Sequence, residues 1–117
     1  MRSFKELEIW QESRYLVKEI YLLSTALPPE EKYGLLSQIR RAAISIPSNI
    51  AEGAGKDSQK DFARYLQISL GSAYELESHL LLCQDLSYIP ENEVVKFVEL
   101  LNIVQRKIYT FIKYLNR

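Results

Sequence analysis

The sequence has few of the residues that mark specialised protein classes: one cysteine, four glycines and four prolines among 117 residues. A single cysteine cannot close a disulfide within the chain, which excludes a disulfide-stapled secreted scaffold. The scarcity of glycine and proline, with 47% hydrophobic residues, excludes collagen-like and disordered chains. No uncharged apolar run reaches the roughly 18 residues typical of a membrane-spanning helix. We therefore expect a globular, soluble protein.

The length suits one domain, because 117 residues lie near the commonest domain size. We expect residues 1–117 to form a single unit around one core. The opening segment MRSFKELEIW carries charges where a secretory signal peptide would need an apolar run. Together with the lone Cys83, this segment predicts a cytoplasmic location and no contact with a membrane.

The charges balance, with 15 basic and 15 acidic side chains, so net charge argues neither for nor against a polyanionic partner. Their distribution is uneven. Beyond Glu99 the charged residues are all basic, and a second basic cluster comprises Arg40, Arg41, Lys56, Lys60 and Arg64. This cluster predicts binding to the phosphate backbone of RNA or DNA. The alternative is a solvated surface whose cations pair with nearby acids.

Apolar residues recur at helical spacing in four segments, and no strand-like alternation bounded by hairpin signals occurs. We predict helices over about 5–26, from 29 or 30 to 53–55, from 58 to 86, and from 90 onward. Pro28, Pro29 and Pro90 and the Ser58-x-x-Asp61 cap mark their boundaries. Short connections between four long helices predict an all-α, up-and-down antiparallel four-helix bundle.

The first and fourth helices carry more apolar residues than one buried face requires. In the first, the predicted inner stripe is Leu7, Trp10, Val17, Ile20, Tyr21 and Ser24, and the residues off it are Ile9, Leu16, Leu22 and Leu23. In the fourth, the stripe is Val94, Phe97, Leu101, Val104, Ile108, Phe111 and Leu115, beside a second strip of Val95, Val98, Tyr109 and Ile112. Surplus apolar surface predicts self-association.

The second helix contains a proline inside its apolar pattern, in the run QIRRAAISIPSNIAEGAG. Pro47 has no N–H for the carbonyl four residues earlier, and its ring crowds that carbonyl, so a bend or break costing about 3 kcal/mol is expected. Neighbouring Ser45, Ser48 and Asn49 can take up the freed backbone groups. Asn49 also precedes Glu52 by three residues, the spacing of a helix cap.

Two interpretations of this run remain open. In the structural one, Pro47 kinks the last helical turn toward a corner at residues 53–55, where the glycines adopt left-handed conformations. In the functional one, the kink exposes Asn49 and Glu52 beside Arg40 and Arg41 as a small polar site.

Catalytic and metal chemistry find little support in the sequence. Glu75, His79 and Cys83 follow one another at helical spacing, yet the outer two are about 12 Å apart along the axis, too far to share one ion. Cys83 lies on an apolar stripe, where a thiol is usually inert. The small residues 71–73 predict a close helix crossing. We expect no enzyme activity, cofactor or metal.

The run EKYGLLSQIRRAAISIPSNIAEGAG, with FARYLQISLGSAYELES and FKELEIWQES, closely resembles the four-helix bundle proteins named for intervening sequences of bacterial 23S ribosomal RNA. The resemblance covers nearly the whole chain, and its most specific motif contains Ser45, Pro47, Asn49, Glu52 and Gly53. It implies an up-and-down bundle that assembles into a homopentameric ring. A related bundle, the accessory variability protein of diversity-generating retroelements, is a basic pentamer that engages nucleic acid and reverse transcriptase.

Two functional hypotheses follow. In the first, the chain is a non-enzymatic, homo-oligomeric scaffold or adaptor that contacts RNA or DNA through its basic residues. In the second, it is a protein-partner module, of the retroelement or toxin–antitoxin kind, that makes no direct contact with nucleic acid. The neutral net charge departs from the basic retroelement relative and weakens that analogy.

Overall fold

Four α-helices account for most of residues 3–117, which are the residues that the computed structural model describes. They are α1 (Glu8–Leu23), α2 (Leu35–Ala54), α3 (Gln59–Asp85) and α4 (Glu91–Leu115). Short 3₁₀ turns lie at Phe4–Glu6, Ser24–Ala26 and Pro29–Glu31. Within the described range the chain has no strand, which confirms the predicted all-α class.

The helices pack in chain order around one hydrophobic core, with α1 against α2, α2 against α3, α3 against α4, and α4 back against α1. This is the predicted up-and-down four-helix bundle, and its extents are 43 × 24 × 19 Å. One end, which we name the corner end, carries the α2–α3 connection together with the chain segments before α1 and after α4. The opposite, far end carries the α1–α2 and α3–α4 connections.

Side chains cap two of the helices. The Ser58 hydroxyl accepts a hydrogen bond from the Asp61 N–H at 3.1 Å, which confirms the predicted start of α3. The start of α2 differs from the prediction, because residues 29–31 form a separate 3₁₀ turn. A carboxylate oxygen of Glu31 instead accepts from the Leu35 N–H, and the other accepts from the Tyr88 hydroxyl. A Cβ at Gly34 would lie 2.7 Å from that first oxygen, so glycine makes room for this cap.

The buried face of α1 is rotated from the predicted one. Inside the helix the buried residues are Ile9, Ser13, Leu16 and Ile20. The sequence pattern puts two of them, Ile9 and Leu16, off the inner stripe. Trp10 and Val17, which it puts on that stripe, are only partly buried, and Tyr21 is exposed. The hydroxyls of Ser13 and Ser24 donate to the Trp10 and Tyr21 carbonyls, so serine enters the core without an unpaired group. The prediction that Trp10 and Tyr21 face inward is therefore wrong.

The α4 stripe is close to the prediction but not identical to it. Val94, Phe97, Leu101, Val104, Ile108 and Leu115 are buried as predicted. Phe111 is only partly buried, and Ile112, which was assigned to the outer strip, lies in the core. Of the remaining outer residues, Val95 and Tyr109 are exposed. Helix α4 therefore exposes less apolar surface outside the core than the sequence pattern indicates.

Helix α2 does not break at Pro47 but continues to Ala54, so the proline is not in the last turn. Hydrogen bonds from side chains hold the helix on either side of it. Ser69 on α3 donates to the Ile46 carbonyl at 2.8 Å, and the Asn49 amide donates to the Ser45 carbonyl at 2.8 Å and hydroxyl at 2.9 Å. The hydroxyls of Ser45 and Ser72 are 2.7 Å apart. The Ser69 and Ser45–Ser72 contacts join α2 to α3, and the Asn49 contacts brace α2 itself, close to the point where the proline removes a backbone bond.

The glycines at the end of α2 act through close packing. Among the described residues no glycine has a positive φ, so the predicted left-handed corner is wrong. Gly53 lies inside α2 and is buried, and a Cβ there would come within 2.7 Å of the Tyr65 Cβ and 2.9 Å of the Phe62 ring. Glycine at this position therefore lets α2 and α3 approach closely. The Asn49–Glu52 spacing caps nothing, since both residues are inside the helix.

Replacing Gly53 with alanine should lower the free energy of unfolding by about 1–3 kcal/mol, because the new methyl group overlaps α3. Gly71→Ala is the matched control: a Cβ there meets nothing within 4 Å, and alanine is favoured over glycine in a helix by about 1 kcal/mol. Urea denaturation of both variants measures the difference. A Gly53→Ala protein as stable as the Gly71→Ala protein would contradict the close-packing role.

Candidate nucleic-acid interface and apolar faces

The fold separates charges that balance in the sequence. The half of the bundle at the corner end comprises residues 3–15, 45–72 and 103–117. Its basic side chains are Lys5, Arg14, Lys56, Lys60, Arg64, Arg106, Lys107, Lys113 and Arg117, against the acids Glu6, Glu8, Glu12, Glu52, Asp57 and Asp61. In the far half, acids outnumber bases: Glu19, Glu30, Glu31, Glu75, Glu77, Asp85, Glu91, Glu93 and Glu99 against Lys18, Lys32, Arg40, Arg41 and Lys96. The corner end is therefore basic and the far end acidic.

Two predicted site residues, Lys56 and Arg64, meet around one aromatic ring at the corner end, and a third, Lys60, lies close to them in the chain. The Lys56 ammonium lies 5.1 Å and the Arg64 guanidinium 4.8 Å from the centroid of the Tyr65 ring. Lys60, one turn before Arg64 on α3, is exposed. Arg64 also approaches Asp61 at 3.9 Å, but both side chains are more than half exposed, so this pair contributes little. The cations around Tyr65 thus remain accessible to a phosphate group.

Another cation, Arg117, and two further aromatic rings come from the end of the chain at α4. The Phe62 ring on α3 packs 5.3 Å from Phe111, which packs 6.1 Å from Tyr114. The Arg117 guanidinium lies 3.8 Å from the Tyr114 centroid, and that ring is 48% exposed. Basic side chains interleaved with aromatic rings form the type of surface that binds single-stranded nucleic acid.

The other two predicted site residues lie elsewhere. The Arg40 guanidinium donates to the Ser24 hydroxyl at 3.0 Å and the Tyr21 carbonyl at 3.3 Å, and lies 4.4 Å from the Tyr21 ring centroid. It therefore fastens α2 to the end of α1. Arg41 is exposed, yet the residues from 41 to 54 place it about 20 Å along the helix from the corner. The five basic residues do not form one patch.

Most residues of the SIPSNIAEG motif pack helices together. Ser45 and Asn49 belong to the hydrogen-bonded cluster facing α3, and Gly53 is in contact with it. Pro47 lines a groove against α1. Of the five motif residues Ser45, Pro47, Asn49, Glu52 and Gly53, Glu52 alone is exposed. Asn49 and Glu52 do not meet Arg40, which contacts α1, so the polar site proposed in the sequence does not form.

The structure also shows the surroundings of the small residues 71–73 and of Cys83, the last residue of the Glu75–His79–Cys83 series. Ala73 is buried and Ser72 contacts Ser45, but Gly71 faces open space, so no close helix crossing within the chain explains the glycine.

Cys83 is fully buried. Its burial, and to a smaller extent the negative charge of Glu31, raises the pKa of its thiol to about 11. A thiol of such high pKa is a poor nucleophile near neutral pH. Over residues 3–117 no three potential metal ligands gather.

An ion-paired lysine joins α4 to α1 at the corner end. Lys107 donates to carboxylates of both Glu8 and Glu12, with a Lys107 Nζ to Glu12 Oε2 distance of 2.7 Å. The hydrogen bond from Lys107 lowers the pKa of Glu8 below its ordinary value, and the hydrogen bonds to Glu12 and Glu8 raise the pKa of Lys107. One base of the corner end thus partly neutralises two of its acids. Arg106 and Lys113, on the same helix, have no ion-pair partner among the described residues.

Two faces that share α1 bear shallow apolar grooves. Between α1 and α2, a groove of about 580 Å³ is lined mainly by Trp10, Val17, Tyr21, Ile44 and Pro47. Along the looser α1–α4 contact, a groove of about 340 Å³ near the far end is lined by Leu22, Leu100, Glu19, Glu93 and their neighbours. Leu22 is 61% exposed. Apolar side chains this exposed and this close together mark an interaction surface.

None of the helices between residues 3 and 117 is both long and apolar enough to traverse a lipid bilayer.

Residues 5–110 match the family model described as 23S rRNA-intervening sequence protein. Among solved structures, the chain is similar to a protein with unknown function from the S23 ribosomal protein family of Bacteroides thetaiotaomicron. The two are 25% identical with a TM-score of 0.83, and the match covers 90% of this chain and 98% of that one. No curated protein gives a significant match.

Lys107→Met should destabilise the protein at neutral pH but not in acid. A carboxylate whose pKa is lowered by folding stabilises the folded state above its unfolded pKa, and this stabilisation is lost as pH falls through the lower folded value. For Glu8 the unfolded value is 4.5. We therefore expect the difference in melting temperature between the wild type and Lys107→Met to shrink below about pH 4.5.

Thermal melts from about pH 7 to about pH 3 measure this difference. The control is Lys113→Met, because Lys113 contacts the Tyr109 ring and no carboxylate. A difference for Lys107→Met that stays constant across the range would show that the ion pair does not stabilise the fold.

Proposed function

The chain belongs to the 23S rRNA-intervening sequence protein family, and we propose that it is a non-enzymatic, self-associating bundle that binds nucleic acid through its corner end. In this proposal the site comprises Lys56, Lys60 and Arg64 around Tyr65, extended by Tyr114 and Arg117. The protein acts as a scaffold or adaptor in the cytoplasm, where a free buried thiol such as that of Cys83 stays reduced.

The observation that carries this proposal is the separation of charge between the two ends. A chain with no net charge has little long-range attraction to a polyanion. Lysine and arginine gathered at one end nevertheless create a local positive surface, which is what phosphate contacts require. Tyr65 and Tyr114 add rings on which bases can stack, and such stacking is worth about 1–3 kcal/mol per base.

Self-association would strengthen this binding. The resemblance implies a homopentameric ring, and a cyclic ring places the same end of every copy on one rim. Several modest phosphate sites on that rim would bind one strand with an avidity well above that of a single site. The exposed apolar grooves along α1 support assembly of this kind.

The absence of a reaction is part of the proposal. Neither the family description nor the similar structure names an activity. The Cys83 thiol is buried, and the single histidine contacts Glu75 at 3.3 Å, with no nucleophile bonded to it among the described residues. A cysteine or serine nucleophile needs a base within hydrogen-bond reach, and in residues 3–117 no cysteine or serine side chain is hydrogen-bonded to a histidine or a carboxylate.

A second candidate function uses the apolar faces alone. The α1–α2 and α1–α4 grooves expose Leu22, Ile44 and Leu100, which suit a protein partner as well as another copy. In that case the chain is a protein-partner module without direct contact to nucleic acid. A pull-down that survives nuclease treatment, with no RNA binding by the pure protein, would favour this function.

Replacing Lys60 and Arg64 with alanine should weaken binding to a fluorescent single-stranded RNA at low salt. Each lost phosphate contact reduces the slope of log K against log salt by about 0.7 for a single strand, so the double variant should lose up to about 1.4. Fluorescence anisotropy titrations at several salt concentrations measure both quantities.

The matched control is Lys32→Ala with Arg41→Ala, which also removes one lysine and one arginine, both exposed and both from the acidic half. It should bind almost as the wild type does. Equal losses in the two variants, or a wild-type protein that binds no RNA at low salt, would refute a site at the corner end.

The purified protein should sediment as a single species heavier than the monomer at micromolar concentration, with five copies implied by the resemblance. Equilibrium ultracentrifugation in high salt, which removes bound nucleic acid, gives the mass. A monomer under these conditions would rule out the ring while leaving the RNA titration meaningful.

A further inference from the structure

We propose that the groove between α3 and α4 is a nucleobase site, in which a base of single-stranded RNA stacks on Tyr74 or Tyr109 and presents an amino group to Asn102. This inference rests on the proposed function and deepens it. The corner end binds phosphates without distinguishing bases, and the α3–α4 groove adds a preference for bases that carry an exocyclic amine.

The α3–α4 groove combines aromatic walls with a polar floor. Its volume is about 440 Å³, which lies in the range of small-molecule pockets. Tyr74 from α3 and Tyr109 from α4 line it, and both side chains are more than half exposed. The other lining residues, all from α4, are Asn102, Gln105, Arg106 and Thr110. Exposed rings beside groups that form hydrogen bonds are what recognition of an unpaired base requires.

The floor is a hydrogen-bonded network that fixes Asn102. Buried Gln105 donates to Glu77 Oε1 at 2.9 Å and to the Ala73 carbonyl at 3.4 Å. The Asn102 amide nitrogen donates to the same Glu77 oxygen at 3.1 Å and to the Gln105 side-chain oxygen at 2.7 Å. Because an ionised carboxylate only accepts hydrogen bonds, both amide nitrogens must face Glu77. The orientation of the Asn102 amide is therefore determined.

This network leaves an acceptor for a ligand. Both donors of the Asn102 amide are used, and its Oδ1 atom accepts no hydrogen bond within residues 3–117. A base edge beside Asn102 must therefore supply an N–H group. Cytosine, adenine and guanine each have an exocyclic amine, whereas uracil has an oxygen where cytosine has its amine. The floor favours the bases with amines over uracil.

Charge sets the orientation of the nucleotide. The partly buried carboxylate of Glu77 has no ion-pair partner in the described part of the chain, so it repels an anion from the floor. Arg106, exposed and unpaired at the edge of the groove, attracts one. Arg106 and Thr110 also line the neighbouring α1–α4 groove, so they lie on the outer ridge of α4. The base thus points inward and its phosphate outward.

One face of α4 connects the groove with the corner end. Arg106, Tyr109, Lys113 and Arg117 are exposed and follow one another at spacings of three or four residues, so they share a helical face. The Lys113 ammonium lies 5.6 Å from the Tyr109 centroid. Cations and an aromatic ring in this order suit one strand that passes from the corner end to the groove.

Cytidine and uridine oligonucleotides test the base edge. The two bases have rings of the same size and differ at position 4, where cytosine has an amine and uracil an oxygen. The wild type should bind an oligocytidine about fivefold or more tightly than an oligouridine of equal length, because uracil places an oxygen against the Asn102 acceptor. Fluorescence anisotropy titrations measure both affinities. Stacking on Tyr65 and Tyr114 alone gives little such preference, since an aromatic ring accepts every base.

Three variants locate the preference in the groove. Tyr74→Ala should weaken binding of oligocytidine by about tenfold through lost stacking. The matched control is Tyr33→Ala, which removes a tyrosine that is 88% exposed at the acidic end and should bind as the wild type does. Asn102→Ala should lower the affinity for oligocytidine to that for oligouridine. Circular dichroism confirms that each variant is folded, and the exposed Tyr74 keeps the test decisive if Asn102→Ala unfolds.

Calorimetric titration with cytidine and uridine 5′-monophosphates separates the two sources of this ligand. A cytosine preference seen only with oligonucleotides assigns the groove to a strand, and one seen also with monophosphates assigns it to free nucleotides as well.

Equal affinity of the wild type for the two oligonucleotides, or a cytosine preference that Tyr74→Ala and Asn102→Ala both retain, overturns the base site while the phosphate site at the corner end stands. A wild type that binds no RNA refutes the proposed function, and the groove is then supported only if it binds cytidine monophosphate and Tyr74→Ala abolishes that binding. Absence of both kinds of binding overturns both proposals.

Discussion

The close approach of α2 to α3 determines where everything else in the bundle lies. It depends on small or hydroxylated side chains at the contact: Gly53 beneath Phe62 and Tyr65, and the serine pair Ser45–Ser72. Because interiors tolerate little overlap, a larger side chain at Gly53 would push the helices apart. The α2–α3 corner fixes Lys56 beside Tyr65, so the packing of the core sets the geometry of the basic end.

Much of the fold could be read from the sequence, because apolar spacing and capping residues act locally. The four helical segments and the Ser58 cap agree with the structure. The face of α1 could not be predicted from apolarity, since one of its core positions is Ser13, which bonds to its own helix. Trp10 and Tyr21 lie at the edge of the core instead, each with an arginine over its ring. The size and apolarity of a side chain show whether it can be buried, but the packing of the neighbouring helices determines whether it is.

The basic site was only partly accessible to sequence reasoning. Lys56, Lys60 and Arg64 are close in the chain, so their proximity was predictable. Arg40 belongs to the same basic cluster in the sequence, but its guanidinium donates to Tyr21 and Ser24 at the end of α1. These contacts join residues 19 and 16 positions apart, which no local pattern reveals. Phe111, Tyr114 and Arg117 reach the corner only because α4 runs antiparallel to α3, which places the chain's last turn next to Phe62. The signal in the sequence that indicates this part of the site is the presence of aromatic residues close to basic ones at the end of α4.

Charge balance does not oppose binding to a polyanion when the charges are this far apart. At physiological ionic strength the Debye length is about 8 Å, whereas the bundle is 43 Å long. A phosphate at the corner end is therefore screened from Glu30, Glu91 and Glu93 at the far end, and it responds to Lys60 and Arg64 nearby. If the proposed ring forms with its copies parallel, it gathers the basic ends on one rim, where the repulsion between them is limited by the same screening.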